Sequence, residues 1–201
     1  MTVLFLLIAS VFATTATQLS GRVQISGFSF QGKIPATIYL GEQNEIHLQL
    51  LRPSGLSIMS FTYTGTEVCV LFDLDSTQYI GSSQEFDALT NNKIQSKELI
   101  QIFRPNPSTS EQWLWNEKNT KLRRAVIQSD EKEDLIRVRY QQWKKGEPSR
   151  LSVHLLENNW RLKANIQDQA QVDWTFSCDS EQGYRTLALS MLKNSIAPSK
   201  N

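Results

Sequence analysis

Apolar and polar side chains alternate through the first third of the chain, which is the pattern of β-strands buried on one face. Val23 and Ile25 begin the alternation, the phase changes near Gly27, and five further runs follow, at residues 34–40, 46–51, 56–63, 67–73 and 76–81. Turn signals such as Gly41-Glu42-Gln43-Asn44 separate the runs. This rhythm predicts an antiparallel meander rather than strands that alternate with long helices.

The third, fourth and fifth runs are too apolar for strands with one wet face. Leu50 to Phe61 reads LLRPSGLSIMSF, with a turn at Arg52-Pro53-Ser54-Gly55 between two apolar segments. After the turn, the apolar positions change phase between Ile58 and Met59. Such a change is typical of a β-bulge, and a bulge bends a sheet. The pattern therefore predicts a strongly curved antiparallel sheet that forms an incomplete barrel with an apolar concave face.

Residues 82–116 lose the two-residue period and are predicted to form a helical lid over the mouth of the barrel. Ser82 with Glu85 three residues later is a capping box, the start signal of a helix. Ser96 is a second start signal, for an apolar stripe that Arg104-Pro105 ends.

A third start signal, Ser108 with Glu111, extends the lid into the aromatic residues that follow. The predicted apolar cavity is lined by strand side chains, which are Leu56, Ile58, Met59, Phe61, Tyr63, Val70 and Phe72. The side chains predicted to cover it are Phe86, Leu89, Leu99, Ile102, Phe103, Trp113 and Trp115. In the alternative arrangement, the helices fill the concave face as an ordinary core and no cavity exists.

The two-residue period returns after the lid, in runs with one apolar and one polar face. These runs are residues 135–140, 151–156, 160–167 and 172–177. The fold class is therefore mainly β with a helical insertion (α+β), in one domain over residues 18–180. Residues 181–201 form a tail with a short helix.

The chain begins with an uncharged apolar segment, and its first charged residue is Arg22. Val3 to Phe12 has the length of a signal-peptide core, and small residues follow it. Residues 1–17 are therefore predicted to be a signal peptide, with the exported chain starting near Thr14 or Thr17. The alternative is that this segment is a buried first strand.

Two cysteines, Cys69 and Cys178, lie far apart in predicted strands. Export to an oxidising compartment would allow them to form a disulfide. Two buried free thiols are the alternative.

Charge is unevenly distributed, although the net charge of the chain is only +1. Residues 118–163 contain 12 Lys and Arg against six Asp and Glu. This block is either a solvated sheet surface or a face for an anionic membrane or an acidic partner.

Motifs of catalysis and of metal binding are not evident. His47 and His154 lack partners at metal-ligand spacing and are predicted to be exposed on strands. Asp73 and Asp75 fit a turn better than an acid pair or a cation site. The sequence contains no Walker loop, dinucleotide turn or nucleophile elbow, and no nucleic-acid pattern. We therefore expect a non-enzymatic protein without cofactor, metal or nucleic-acid partner.

Residues 21–103 resemble the bacterial lipoprotein-carrier superfamily of LolA and LolB. The similarity lies in the segment IHLQLLRPSGLSIMSFTYTGTEVCVLFDLDSTQYIGS and in ALTNNKIQSKELIQIF, which looks like the lid helices of that family. The resemblance implies a half-open barrel with a helical lid. It also implies a monomeric periplasmic carrier that takes acyl chains of lipoproteins or lipids and delivers them to the outer membrane.

The sequence departs from LolB-type members in two respects. No lipidation cysteine follows the apolar segment, and the protruding loop, Arg52-Pro53-Ser54-Gly55, has Ser54 where an apolar tip is expected. Leu56 is the nearest substitute. An envelope β-domain that binds a protein partner, as a sensor or assembly factor without lipid cargo, is the alternative function.

Overall fold

A single sheet, antiparallel except at one edge strand, dominates the computed structural model, which describes residues 14–26, 32–90, 94–106, 113–118, 121–128, 132–156 and 160–191. Its first six strands are β1 Thr14–Ser26, β2 Gly32–Leu40, β3 Ile46–Leu51, β4 Ser57–Tyr63, β5 Glu67–Phe72 and β6 Thr77–Ser82. The later strands are β7 Trp113–Lys118, β8 Lys121–Gln128, β9 Asp134–Lys144, β10 Glu147–Leu155, β11 Trp160–Trp174 and β12 Arg185–Thr186.

The sheet consists of two meanders that share one seam. Strands β1 to β6 are neighbours in chain order, as are β7 to β11, and β11 pairs with β1 along its length. The 12 strands stay open between β7 and β12. The predicted class, a mainly β fold with a helical insertion and an incomplete barrel, is confirmed.

The sheet has bulges at two places that the sequence explains, one through a change of apolar phase and one through a glycine. Leu50 lies opposite Met59 but Leu51 lies opposite Ser57, which leaves Ile58 as the extra residue that the phase change predicted. The β1–β11 seam has a second register shift beside Gly21. A side chain at Gly21 would collide with the carbonyl oxygen of Asn165, so glycine is required there.

The core lies on the concave face of the sheet, beneath two short helices. One cross-strand row illustrates it, in which Ile38, Leu48, Phe61, Val70 and Tyr79 are successive neighbours on β2 to β6. The helices are α1 Ser83–Asp87 and α2 Leu99–Phe103, with 3-10 turns at Ala88–Thr90 and Ser96–Glu98.

The predicted lid is partly correct. The capping box of Ser82 and Glu85 is present at the start of α1. Ser96 does not cap a helix: the N-cap is Gln95, and the Ser96 amide donates to a carboxylate oxygen of Asp87 over 2.6 Å.

The end of the lid was predicted too far along the chain. Helix α2 ends at Phe103, as Arg104-Pro105 indicated, but Trp113 and Trp115 belong to strand β7 and not to a helix. Their apolar side chains fit the inward positions of a strand as well as a helical stripe. The proposed capping pair Ser108 and Glu111 lies outside the described residues.

The second face of the apolar hairpins is covered by the C-terminal strap, which we define as residues 175–187. It crosses the outer face of β5 and pairs with the edge of β6 as β12. The disulfide between Cys69 and Cys178 ties it to β5. Outward-facing Cys69 and Gln78 are consequently only 4 % and 1 % exposed. Because the strap buries the outer face as well, these strands carry apolar side chains on both faces.

Polar contacts fix the strap along its length. Gln78, which is 1 % exposed, donates to Ser180 over 2.8 Å and accepts from the Glu181 amide over 3.0 Å. The Tyr184 hydroxyl donates to Asp73 over 2.6 Å, and this hydrogen bond raises the Tyr184 pKa to about 12. Asp73 therefore anchors the strap, whereas Asp75 is exposed in the turn.

Strands are present on both sides of the predicted domain bounds, 18 and 180. Residues 1–13 of the predicted signal peptide lie outside the described residues, but Thr14 to Thr17 belong to β1, where Ala16 is 1 % exposed. Strand β11 ends at Trp174, so the predicted strand 172–177 is too long. Within the predicted tail, Arg185–Thr186 is a strand and residues 189–191 are helical, while residues 192–201 are not among those described.

Candidate functional site

The concave face and the lid form the candidate site. Ile100, Ile102 and Phe103 of α2 are buried against the sheet, with exposures of 2 %, 6 % and 6 %. The Tyr140 hydroxyl of β9 donates to the Gln101 carbonyl oxygen over 3.2 Å. Burial at this contact raises the pKa of Tyr140. Helix α2 therefore closes much of the half-barrel.

Arg104 fastens the end of α2 to the rim. Its guanidinium donates to the Thr17 hydroxyl over 2.8 Å and to the Gly41 carbonyl oxygen over 2.9 Å. It also forms an ion pair of 3.4 Å with Glu147. Burial raises the pKa of the Glu147 carboxyl, and Arg104 opposes that rise. This one side chain joins the lid to β1, to the β2–β3 turn and to β10.

A second polar contact holds the start of α2. The indole Nε1 of Trp113 donates to the Glu98 carboxylate over 2.7 Å, and both residues are buried. Buried charges are stable only when they are paired or hydrogen-bonded. Helix α2 is thus attached at both ends by polar bonds and in the middle by apolar packing.

The predicted cavity residues do not all lie together. Met59, Phe61, Tyr63, Val70 and Phe72 share the concave face through the strand register. Ile58 is the bulge residue beside them. Leu56 instead lies in the β3–β4 turn and is 63 % exposed.

Part of the concave apolar surface is only half-buried. This half-buried cluster comprises the strand residues Leu48, Ile58, Met59, Phe61 and Phe72, the lid residues Phe86, Leu89, Ile94 and Leu99, and Trp115. The rings of Phe61 and Phe86 lie 5.6 Å apart, so strand and lid are in contact there. Of the other predicted residues, Tyr63, Val70, Ile102, Phe103 and Trp113 are fully buried.

Two polar atoms on this side of the sheet lack partners. The Tyr79 hydroxyl and the Trp115 indole nitrogen are buried, and neither has a hydrogen-bond partner within the described ranges. Buried polar atoms in folded proteins are nearly always satisfied by protein, water or ligand. Tyr79 also contacts the Phe86 ring of the lid, at 6.3 Å between centroids. Sequence reasoning missed Tyr79, although its phase in β6 placed it on the concave face.

The protruding loop is exposed as its sequence indicated. Arg52, Pro53 and Ser54 are exposed, and Gly55 has a φ of 86°, a conformation that favours glycine. Leu56 follows at 63 % exposure, and Leu74 in the β5–β6 turn is 55 % exposed at the same end of the strands. The signal for Leu74 was its position between two aspartates in a turn, where an apolar residue is unusual.

Other chemistry is sparse in the described part of the chain. No group of three His, Cys, Asp or Glu side chains there could hold a metal ion. His47 is half-buried rather than exposed, 2.8 Å from the Thr62 hydroxyl, and desolvation lowers its pKa to about 4. His154, predicted to be exposed, is also half-buried. None of the described helices has the length and apolar character needed to span a bilayer.

Comparison with known proteins identifies the fold. The structure is similar to a proposed outer membrane lipoprotein-sorting protein domain from Vibrio parahaemolyticus, with a TM-score of 0.50 and 5% sequence identity over 78% of this chain and 85% of that chain. The chain shares the fold of that domain. The LolA-like resemblance predicted from the sequence is thereby confirmed at the level of the fold.

A second neighbour carries the superfamily name. A LolA superfamily protein from Nitrosomonas europaea matches with a TM-score of 0.49 and 11% identity, over 82% of this chain and 88% of that chain. No family model matches the sequence, and no curated protein matches it.

Proposed function

We propose that the chain is a non-enzymatic carrier or acceptor, which binds the acyl chains of lipoproteins or lipids beneath its lid. In this proposal it acts in the periplasm and helps to deliver its cargo to the outer membrane. The likeness to a lipoprotein-sorting domain supports the proposal. So does the half-buried apolar cluster, which is the single observation that carries it.

The physical argument rests on what the lid contacts. Apolar packing is non-directional, so an acyl chain can replace lid side chains against Met59, Phe61 and Phe72 with little loss of free energy. The polar contacts of Arg104 and Glu98 lie at the two ends of α2 and would act as its attachment points. The partnerless atoms of Tyr79 and Trp115 would offer donors to the ester groups of a cargo.

The exposed leucine at the β3–β4 turn has a role in this proposal. Leu56 would insert into the bilayer when cargo is released, as the apolar loop tip of LolB-type proteins is expected to do. Its exposure of 63 % leaves the side chain free of packing constraints within the domain.

Phe61→Glu tests the site. Phe61 is half-buried, so we expect the carboxylate to remain hydrated and the domain to fold, while displacement of a fluorescent fatty-acid probe is lost. The matched control is Ile38→Glu in the same cross-strand row, where the side chain is 0 % exposed. An unpaired charge there should cost several kcal/mol, on the order of the whole stability, and unfold the domain.

Thermal melting and probe titration measure both effects. A wild-type protein that never binds the probe, together with a Phe61→Glu variant that fails to fold, would show that this face is ordinary core. The partner-binding alternative would then be the better explanation of the fold.

A further inference from the structure

A cationic groove lies on the outer face of the sheet, on the side away from the lid. It has a volume of about 280 Å³ and is lined by Arg137, Arg139, Ser152, His154, Arg161 and Lys163. The strand register explains its shape. Arg137 and Arg161 flank His154, and Arg139 and Lys163 flank Ser152, so long side chains on β9 and β11 rise beside shorter ones on β10.

The charges of the groove are poorly compensated. No carboxylate lines it. Asp134 accepts from Arg137 over 2.8 Å and lies 3.6 Å from Arg124, while Arg124 stands directly opposite Arg139. Hydrogen bonds from Gln128 and Arg137 lower the pKa of Asp134, so it stays ionised.

Donors also remain available beside the groove. The Nε atoms of Arg124 and Arg137 are buried and have no acceptor within the described ranges. Arg139, Arg161 and Lys163 are exposed, and no ion pair reaches them from that same part of the chain. Like charges on adjacent strands repel, and a phosphate bound between them would relieve that repulsion.

The position of the groove indicates which phosphate it meets. Because neighbouring strands are antiparallel, the groove half of β9 to β11 lies at the same end of the sheet as the β3–β4 and β5–β6 turns. Those turns carry the exposed side chains of Leu56 and Leu74. Cations combined with exposed apolar tips are typical of a protein surface that rests on an anionic bilayer.

We propose that this groove binds the phosphate groups of anionic phospholipids and so docks the rim of the half-barrel on a membrane. The inference does not depend on acyl-chain carriage, because the groove and the lid lie on opposite faces of the sheet.

The test uses flotation of the full chain with vesicles. We expect binding to phosphatidylcholine vesicles that contain phosphatidylglycerol, little binding to pure phosphatidylcholine, and weakening as salt rises, since exposed charges are screened. Arg161→Gln with Lys163→Gln should weaken binding on the order of fivefold per charge removed, about 30-fold for the pair. Displacement of the fatty-acid probe should be unchanged in this variant.

The matched control is Arg123→Gln with Lys145→Gln. It removes the same charge from exposed positions at the other end of the strands, and it should bind almost as the wild type does. Equal losses of binding in both double variants would mean that only the net charge of the chain matters. Equal binding to neutral and anionic vesicles would mean that the groove does not take part in binding. Lys163→Gln alone serves if the double variant melts below the wild type, and an unchanged affinity in that single variant would overturn the proposal.

Competition separates a membrane from other anions. Inorganic phosphate should release the chain from vesicles no better than chloride at equal ionic strength. Release by phosphate alone would assign the groove to a free phosphate. Tighter binding of an acidic peptide than of phosphatidylglycerol vesicles would assign it to a protein.

Discussion

At the scale of single residues, the outer face departs most from what a strand pattern suggests. His47 occupies an outward position of β3, yet the Trp174 ring lies 5.3 Å from its ring and Tyr39 stacks on Trp174 at 3.8 Å. The histidine is thereby withdrawn from water, and desolvation favours its neutral form. Burial of His47 is therefore enough to make the stability of the fold depend on pH.

His47 should make the protein less stable in mild acid. Its pKa falls from 6.5 to about 4 on folding. Between these values the unfolded chain binds more protons, so stability is fully present above pH 6.5 and declines as pH falls toward 4, by up to about 3 kcal/mol. Urea unfolding of wild type and His47→Gln at several pH values measures the difference. Parallel pH profiles for the two proteins would contradict it.

At the scale of elements, the strap and the lid are attached in different ways. The strap is held by a covalent bond that closes a long loop, since Cys69 and Cys178 are 109 residues apart. The lid is held by side-chain hydrogen bonds, which water or a ligand can replace. The disulfide keeps the strap in place, whereas the hydrogen bonds of the lid allow it to open.

Breaking the disulfide should destabilise the domain. Cross-linking a loop of this length contributes about 2–5 kcal/mol, chiefly by restricting the unfolded chain. Cys69→Ala with Cys178→Ala should melt well below the oxidised wild type and should not respond to reductant. The chain has no other cysteines, so any effect of reductant on the wild type comes from this bond. A wild type that melts equally with and without reductant would refute the prediction.

Arg104→Gln should loosen the lid. The variant loses charge-assisted hydrogen bonds to the rim, each worth about 1.5–3 kcal/mol, and leaves Glu147 without its cation. We expect a lower melting temperature and faster association of the fatty-acid probe in stopped-flow experiments. Arg104→Lys is the control, because it keeps the charge but not the forked geometry. A melting change without any change in association rate would mean that Arg104 is only structural.

At the scale of the whole molecule, most strands were predictable because each follows a local two-residue period. The sequence did not reveal which strands join the two meanders, since β1 and β11 meet through pairing that leaves no local signal. Trp113 and Trp115 were misplaced because a short apolar run fits helix and strand alike. The strap was missed because its first residues continue the two-residue period of a strand and the rest have no period. The disulfide that anchors it was one of two alternatives that the sequence left open.

The exported chain should begin at Thr14. Thr14 to Ala16 pair with Trp174 to Val172, and Ala16 is almost fully buried, so removal of these residues would shorten the seam. Cleavage after Ala13 keeps the strand whole, whereas cleavage after Ala16 does not. Intact-mass measurement of the envelope fraction decides between them. A mass that corresponds to a chain beginning at Thr17, or a full-length chain in the cytosol, would contradict this prediction.

The seam between β1 and β11 also governs the order in which the molecule can form. Thr14 lies opposite Trp174, so the first strand must wait for nearly the whole chain before it gains its second neighbour. Contacts of such high sequence separation carry a large loop-closure entropy, and proteins rich in them fold slowly. Until then one edge of β1 is unpaired and the two meanders of the half-barrel are not joined. This connectivity would suit the proposed export, because β1 gains its second neighbour only when residues 160–174 are also available.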